Sequence, residues 1–360
     1  MPRRECSTKQ ANRFPLGSRP ARPRATSWAT CTLPAAIRSP TVSSMDGSPA
    51  TTQLGIARGN KMTGRLEGRA ALVTGAGNGI GKACALALAA NGASVVVNDL
   101  GTSEFGVGQS ASAADATVAE IRAGGGTAIA EYSSVATSAG CNNAVAAAVS
   151  AFGQLDIVVG VAGALLEGSI NATDEEYQRF IDLFFSQKFW LARAAVPAMA
   201  ERGWGRLITT TSYGATGLLG KPIFAGAMGG VISMTKAIAH EYQGTGVTAN
   251  CLAPGAATRL HFLSRARFEE MHANGLIDDE GWESYLNAPP AEYVAPIVAW
   301  LCTDAAANVS GHVFHANGGV VGVWNAYSES AIAFRGDHRT NPPWSLDELD
   351  DVVPKTLLKH

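Results

Sequence analysis

The sequence predicts a doubly wound α/β fold, one parallel sheet with helices on both faces. Three observations carry this. Short, continuously apolar runs recur along the chain, as in strands buried on both faces. They alternate with amphipathic stretches of helical length. Glycine and Asn-Gly clusters punctuate the joints.

The elements follow in order. Ala70–Val73 is an apolar run, a glycine cluster follows, and Lys82–Ala90 reads as a helix closed by Asn91-Gly92. Ala93–Val97 is a second run ending in Asn98-Asp99-Leu100. Ala113–Ala123 reads as a helix, Ala128–Tyr132 as a strand and Ala139–Phe152 as a helix. Leu155–Val161 is a strand and Glu175–Glu201 a long helix. Arg206–Thr211 is a strand, Ala225–Tyr242 a helix and Val247–Leu252 a strand. Residues 258–290 read as an irregular helical lid, Tyr293–Leu301 as a helix and Val313–Ala316 as a last strand. Repeated β-α units in one stretch define a single parallel sheet. The expected boundaries are a leader at 1–63, a domain at 64–324 and a C-terminal extension at 325–360.

Composition narrows the function. The chain has 360 residues, 46% hydrophobic and only 16% charged. So sparse a charge suggests covered surface, most simply by identical subunits in a homodimer or homotetramer. Residues 1–61 hold ten of the 28 Lys/Arg and two of the 30 acidic residues (Glu5, Asp46), leaving 18 basic and 28 acidic for the body. An acidic body argues against nucleic acid, which needs a basic face. The leader resembles a transit peptide, or upstream sequence before a start at Met62, which we favour. Six scattered cysteines without Cys-x-x-Cys suit a reducing compartment, expected to be the cytoplasm, and no zinc spacing occurs. No run of about 18 uninterrupted apolar residues is seen, so no membrane span is expected.

The loop Thr74-Gly75-Ala76-Gly77-Asn78-Gly79-Ile80-Gly81 lies between a predicted strand and a predicted helix. There, glycines allow a tight turn and close backbone approach to a pyrophosphate, and the helix N-terminus favours the anion. Asp99 stands 24 residues after Gly75, where a carboxylate accepts ribose hydroxyls and repels a 2′-phosphate, favouring NAD(H) over NADP(H).

With that loop the chain resembles the short-chain dehydrogenase/reductase family and its Thr-Gly-x-x-x-Gly-x-Gly motif. Asn250-Cys251-Leu252-Ala253-Pro254-Gly255 resembles the family's Asn-x-x-x-Pro-Gly segment beside the nicotinamide. Thr258 resembles the threonine that follows it, one residue early. Ser310-Gly311 through Gly318-Gly319 resembles the C-terminal strand, and Asn98-Asp99-Leu100-Gly101 the 3-hydroxyacyl-CoA dehydrogenase branch. The resemblance covers residues 66–320 and implies a Rossmann-type fold. It implies cofactor contacts at Gly75, Gly77, Asn78, Gly79, Ile80, Gly81, Asp99, Pro254, Gly255 and Thr258. Ser134, with Val135, stands where an aspartate usually meets adenine, and Gly160-Val161-Ala162-Gly163 replaces Asn-Asn-Ala-Gly.

The resemblance also implies a catalytic Asn, Ser, Tyr and Lys, and the chain keeps one of them. Ser212 aligns with the serine, with Thr211 the alternate. Phe184, Phe224 and Met228 stand at the Asn, Tyr and Lys positions. None of the seven tyrosines has Lys four residues later. Phe has no proton to give, so ordinary alcohol–ketone chemistry loses its general acid. Tyr213 reads as a packing tyrosine, Lys221 and Lys236 as solvated, His240 as a partly buried helix residue, and His261 and His272 as exposed lid histidines. Phe184, Phe185, Phe189 and Trp190 read as a core or subunit-interface face. Two functions stay open: an NAD(H)-dependent oxidoreductase acting on a hydrophobic or acyl-thioester-like carbonyl, alcohol or activated alkene, and a non-catalytic relative serving as NAD sensor or partner subunit, paired with itself or an active relative. A third is a non-redox enzyme reusing the pocket.

Overall fold

The computed structural model describes residues 64–218, 220–325, 327, 331–335 and 339–358. The readings of the leader, including Met62 as start, lie outside the described residues, as do Cys6 and Cys31.

Eight strands form one sheet in the order β3-β2-β1-β4-β5-β6-β7-β8. They are β1 (Ala70–Thr74), β2 (Ser94–Asn98), β3 (Thr127–Glu131), β4 (Ile157–Gly160), β5 (Gly205–Thr210), β6 (Val247–Gly255), β7 (Val313–Asn317) and β8 (Val320–Val323). The first seven pair in parallel, and β8 folds back antiparallel on β7. The strand order reverses between β1 and β4, and a crevice opens at the carboxyl ends there, the usual ligand position in such sheets.

Helices cover both faces. Apolar side chains of α1 (Gly79–Ala90), α2 (Ser112–Ala123) and α10 (Ala295–Leu301) pack with Val73, Val95, Val97 and Val159 in one core. On the other face α3 (Ser138–Phe152), α5 (Gln187–Glu201) and α6 (Pro222–Glu241) pack over Leu72, Val96, Val158, Leu207 and Cys251. Adjacent strand residues point to opposite faces, which is why each strand feeds both cores. By length and composition α6 could cross a membrane. Here Val231, Ile232 and Thr235 are buried against the sheet.

The amino end of the sheet is closed by polar anchors. The Asp156 carboxylate accepts from the Ala70 N–H at 2.9 Å. The buried Arg206 donates to the carbonyls of Gly205, Gly246 and Thr303 and lies 4.1 Å from the Trp204 ring. These bonds satisfy backbone groups that a buried strand end would otherwise leave orphaned.

Two expectations are corrected, and the helical reading of residues 258–290 holds. The helix expected at 175–201 is α4 (Asp174–Ile181), a π-helical turn over Asp182–Ser186, and then α5. Residues 258–290 are ordered as α7 (Arg259–Leu263), α8 (Arg265–Ala273) and α9 (Asp279–Leu286). β8 was not expected, and α11 (Leu346–Val352) forms within the extension.

Candidate functional site

The crevice is built by the turn after β1. Gly75 and Gly79 take φ of +66° and +51°. A Cβ on Gly75 would lie 2.7 Å from Ala162 Cα, so only glycine lets this turn cross β4. Asn78 is extended ahead of α1 and makes no side-chain cap, and the first turn holds no acid. The first N–H groups of α1 therefore have no side-chain acceptor, and the helix end carries partial positive charge.

The resulting cleft has a volume of about 250 Å³. Gly75, Asn78, Gly79, Ile80 and Gly81 form its floor; Asp99, Ser134 and Val135 one end; Ala162, Gly163 and Thr258 the other. Gly77, Pro254 and Gly255 are not among its lining residues. Gly77 instead gives its N–H to Asp99 Oδ2 at 2.8 Å, and Pro254-Gly255 closes β6. Asp99 Oδ1 accepts from the Gly101 N–H at 2.7 Å. The carboxylate thus ties the glycine turn to the loop after β2, and each oxygen keeps a lone pair for a hydroxyl. A Cβ on Gly77 would lie 2.7 Å from Asp99 Oδ2, so this contact also needs glycine.

Among the cleft residues that the sequence reading missed are two cations, Arg179 and Arg259. They hold the 101–110 loop over the opening. Arg179 Nη2 donates to the carbonyls of Phe105 (2.8 Å) and Gly106 (3.0 Å). Arg259 Nη2 donates to that of Thr102 at 3.2 Å. The available signal was position: Arg259 directly follows Thr258, and 101–110 carries three glycines.

Next to Gly163, but outside the residues that line the cleft, lies an apolar cluster. Phe184 and Phe224 meet edge to face at 5.4 Å between centroids, and Phe180 stacks on Phe184 at 4.5 Å. The π-helical turn carries Phe184 to Gly163, where a Cβ would lie 3.2 Å from its ring. Phe224 packs as closely on the Gly214 backbone. Met228 is buried. The Thr211 hydroxyl, also buried, donates to the Met228 carbonyl at 2.8 Å. Ser212 is partly exposed, and its Oγ accepts from the Gly214 N–H at 3.1 Å. Of the two hydroxyls, Ser212 keeps its own proton to donate.

Other expectations change. Lys221 is buried, not solvated: its ammonium bonds the Leu166 carbonyl and Glu167, whose carboxyl the lysine holds below its ordinary range. His240 is exposed. His261 and His272 are half-buried on α7 and α8. His261 stacks on Tyr285 at 4.1 Å, burial lowers its pKa, and His272 meets Asp279 at 2.8 Å. Tyr213 packs against His315 and Trp324, and burial raises its pKa. Phe189 is exposed, while Phe184, Phe185 and Trp190 pack against the cores.

Lys188 gives no sequence signal. It enters the core from α5, and its Cγ lies 3.6 Å from the Cβ position of Gly160. The absence of an Asn side chain there leaves it room. Burial pushes its pKa down to about 8, opposed by the neighbouring Cys251 and Cys141.

The fold and cleft define a dinucleotide-binding α/β protein. The family profile described as Enoyl-(Acyl carrier protein) reductase matches residues 75–321. The chain is 36% identical over 260 residues to the peroxisomal multifunctional enzyme type 2 of Mus musculus, covering 72% of this chain and 33% of that enzyme. It therefore spans about a third of that relative's length. It is also 36% identical over 258 residues to a short-chain type dehydrogenase/reductase of Mycobacterium tuberculosis, covering 71% and 84% respectively. The solved 7α-hydroxysteroid dehydrogenase complexed with NADH and 7-oxo glycochenodeoxycholic acid superposes with a TM-score of 0.60 at 28% identity, over 72% of this chain and 97% of that one. The chain belongs to the short-chain dehydrogenase/reductase family of NAD(P)-dependent oxidoreductases.

Proposed function

We propose that this protein is an NAD(H)-binding oxidoreductase with an atypical site, acting on a hydrophobic or acyl-thioester-like carbonyl, alcohol or activated alkene. The observation that carries it is the cleft: a glycine floor that side chains would obstruct, an uncapped α1 N-terminus, and Asp99 at the ribose end. These residues fit a dinucleotide. The first turn of α1 would hold the diphosphate, and Asp99 would accept ribose hydroxyls and disfavour a 2′-phosphate. Bound there, the cofactor supplies hydride transfer. Ser212 donates a hydrogen bond to the substrate oxygen. Phe184, Phe224 and Met228 give no proton, so a substrate that supplies its own acid suits the site. The partners proposed are a small-molecule substrate and a second copy of the chain, in the cytoplasm.

A second reading has its own observation. At the positions that the family resemblance assigns to catalysis, the Phe180–Phe184–Phe224 cluster and the Thr211–Met228 bond are packing contacts, as a non-catalytic NAD sensor or partner subunit would allow.

The test is a fluorescence titration of the full chain with NADH and NADPH. Saturable NADH binding with weaker NADPH binding supports both readings. Turnover of NADH with enoyl or 3-oxoacyl thioesters then selects the first. Binding of neither cofactor at millimolar concentration overturns both.

A further inference from the structure

Two cations line the cleft, and they are held unequally. Arg179 makes two short bonds, at 2.8 and 3.0 Å, to carbonyls of the 101–110 loop. Arg259 makes one longer bond, to the Thr102 carbonyl at 3.2 Å, and one loose ion pair, Nη1 to Glu104 Oε1 at 3.9 Å. Both members of that pair are more than a third exposed, so solvent screens it and it holds Arg259 weakly. Arg259 also starts in the right place. The side chain of Thr258 reaches within 3.3 Å of the Cβ position of Gly79, directly over the α1 N-terminus. The next residue therefore stands on the rim above the anion seat. Lys82, in the first turn of α1, is engaged with Glu120 at 2.7 Å.

A dinucleotide's diphosphate carries two negative charges, while a helix N-terminus offers about half a positive charge. A guanidinium within reach matches phosphate oxygens in its fork geometry. We propose that Arg259 is a ligand of the cofactor's diphosphate and that Glu104 competes with the diphosphate for it. Arg259 exchanges a screened carboxylate for a doubly charged anion, and Arg179 keeps the loop in place meanwhile. The inference rests on the reading of the cleft as an NAD(H) site and adds a residue that the glycine motif does not contain.

The experiment is calorimetric titration of the full chain and two variants with NADH, ADP-ribose and adenosine. The first two carry the diphosphate and the third does not. Arg259→Gln is expected to weaken NADH and ADP-ribose about tenfold, the scale of a charge-assisted hydrogen bond, and to leave adenosine unchanged. Glu104→Gln is expected to tighten both diphosphate ligands about two- to threefold, because it removes the competitor. A merely structural Glu104–Arg259 pair predicts that both variants weaken binding together. Arg259→Lys, which keeps the charge without the fork, should fall between wild type and Arg259→Gln. Wild-type affinity for ADP-ribose in Arg259→Gln, or weakened binding in Glu104→Gln, overturns the proposal while leaving the cofactor reading intact. Failure of the wild type to bind NADH and ADP-ribose at all overturns both.

Discussion

The proposed atypical chemistry turns on two side chains, Phe224 and Met228, which the family resemblance sets at the positions of the acid and its lysine. A Tyr phenol titrates near 10 unaided, and a nearby ammonium lowers that. Phe224 lies against Phe184 and the Gly214 backbone and is only partly buried. The double variant Phe224→Tyr/Met228→Lys should gain alcohol-dependent NADH formation by roughly 10²–10⁴-fold, the usual contribution of a positioned general acid. Phe224→Tyr alone should gain much less, since paired catalytic groups act as a unit. Continued silence in a folded, NADH-binding double variant would mean that the missing Asn, at Phe184, also limits the site. Asp99 invites a second test. Its carboxylate bridges Gly77 and Gly101 and lines the cleft where we propose that the ribose binds. Asp99→Ala should therefore narrow the gap between NADH and NADPH affinity by about tenfold and lower the melting temperature, since two N–H groups lose a charged acceptor. A changed preference with no loss of stability would assign Asp99 to the ligand alone.

At the scale of elements, the sequence showed what local pattern encodes and hid what neighbours impose. β1, β2 and β4 were legible because strands buried inside the sheet are continuously apolar, and the glycine turn was legible because strand, loop and helix are consecutive. The π-helical turn at Asp182–Ser186 was not, because the stretch has ordinary helical periodicity and the extra residue shows only in the backbone. β8 was missed because Val320–Val323 is four residues long and lies exposed at the sheet edge. The burial of Lys221 depends on Glu167, 54 residues away. Lys188 is the clearest instance: only the sheet shows that α5 aims it at the space beside Gly160. Its folded pKa, about 8, lies below the ordinary lysine value of 10.5, so the folded state binds fewer protons between those values. Stability therefore rises with pH across that window, and the burial penalty is present in full below about pH 8. Lys188→Met should stabilise the protein at pH 7 by on the order of 3 kcal/mol and by much less near pH 10. Chemical denaturation at the two pH values reads the difference. Equal effects at both would place the lysine's ammonium in water.

For the whole molecule the question is what covers its surface. Charged residues are only 16% of the chain, and among the large apolar side chains left exposed are those on α5 and on the sheet edge. On α5, Phe189 is 45% exposed, with the Arg193 guanidinium 5.5 Å from its ring. At the sheet edge, Val320, Val321 and Val323 of β8 are each more than half exposed, and among the described strands none pairs with its outer side. An apolar edge with unpaired backbone groups is normally covered or charged, and among the described residues this one is neither. A second copy could cover it by pairing β8 with β8, and another could cover the α5 face. The expected state is thus a homodimer or a homotetramer, according to whether one surface or both are used. Sedimentation of the full chain at micromolar concentration should show no monomer. Phe189→Glu places a charge in the helical face, and Val321→Lys places one at the edge, the device by which native edge strands avoid association. If both surfaces are interfaces, each variant alone should halve a tetramer and the pair should give monomers. A wild type that sediments as a monomer would leave the low charge of this chain without its assembly explanation. A dimer broken only by Phe189→Glu would assign the interface to α5 and leave β8 as an open edge.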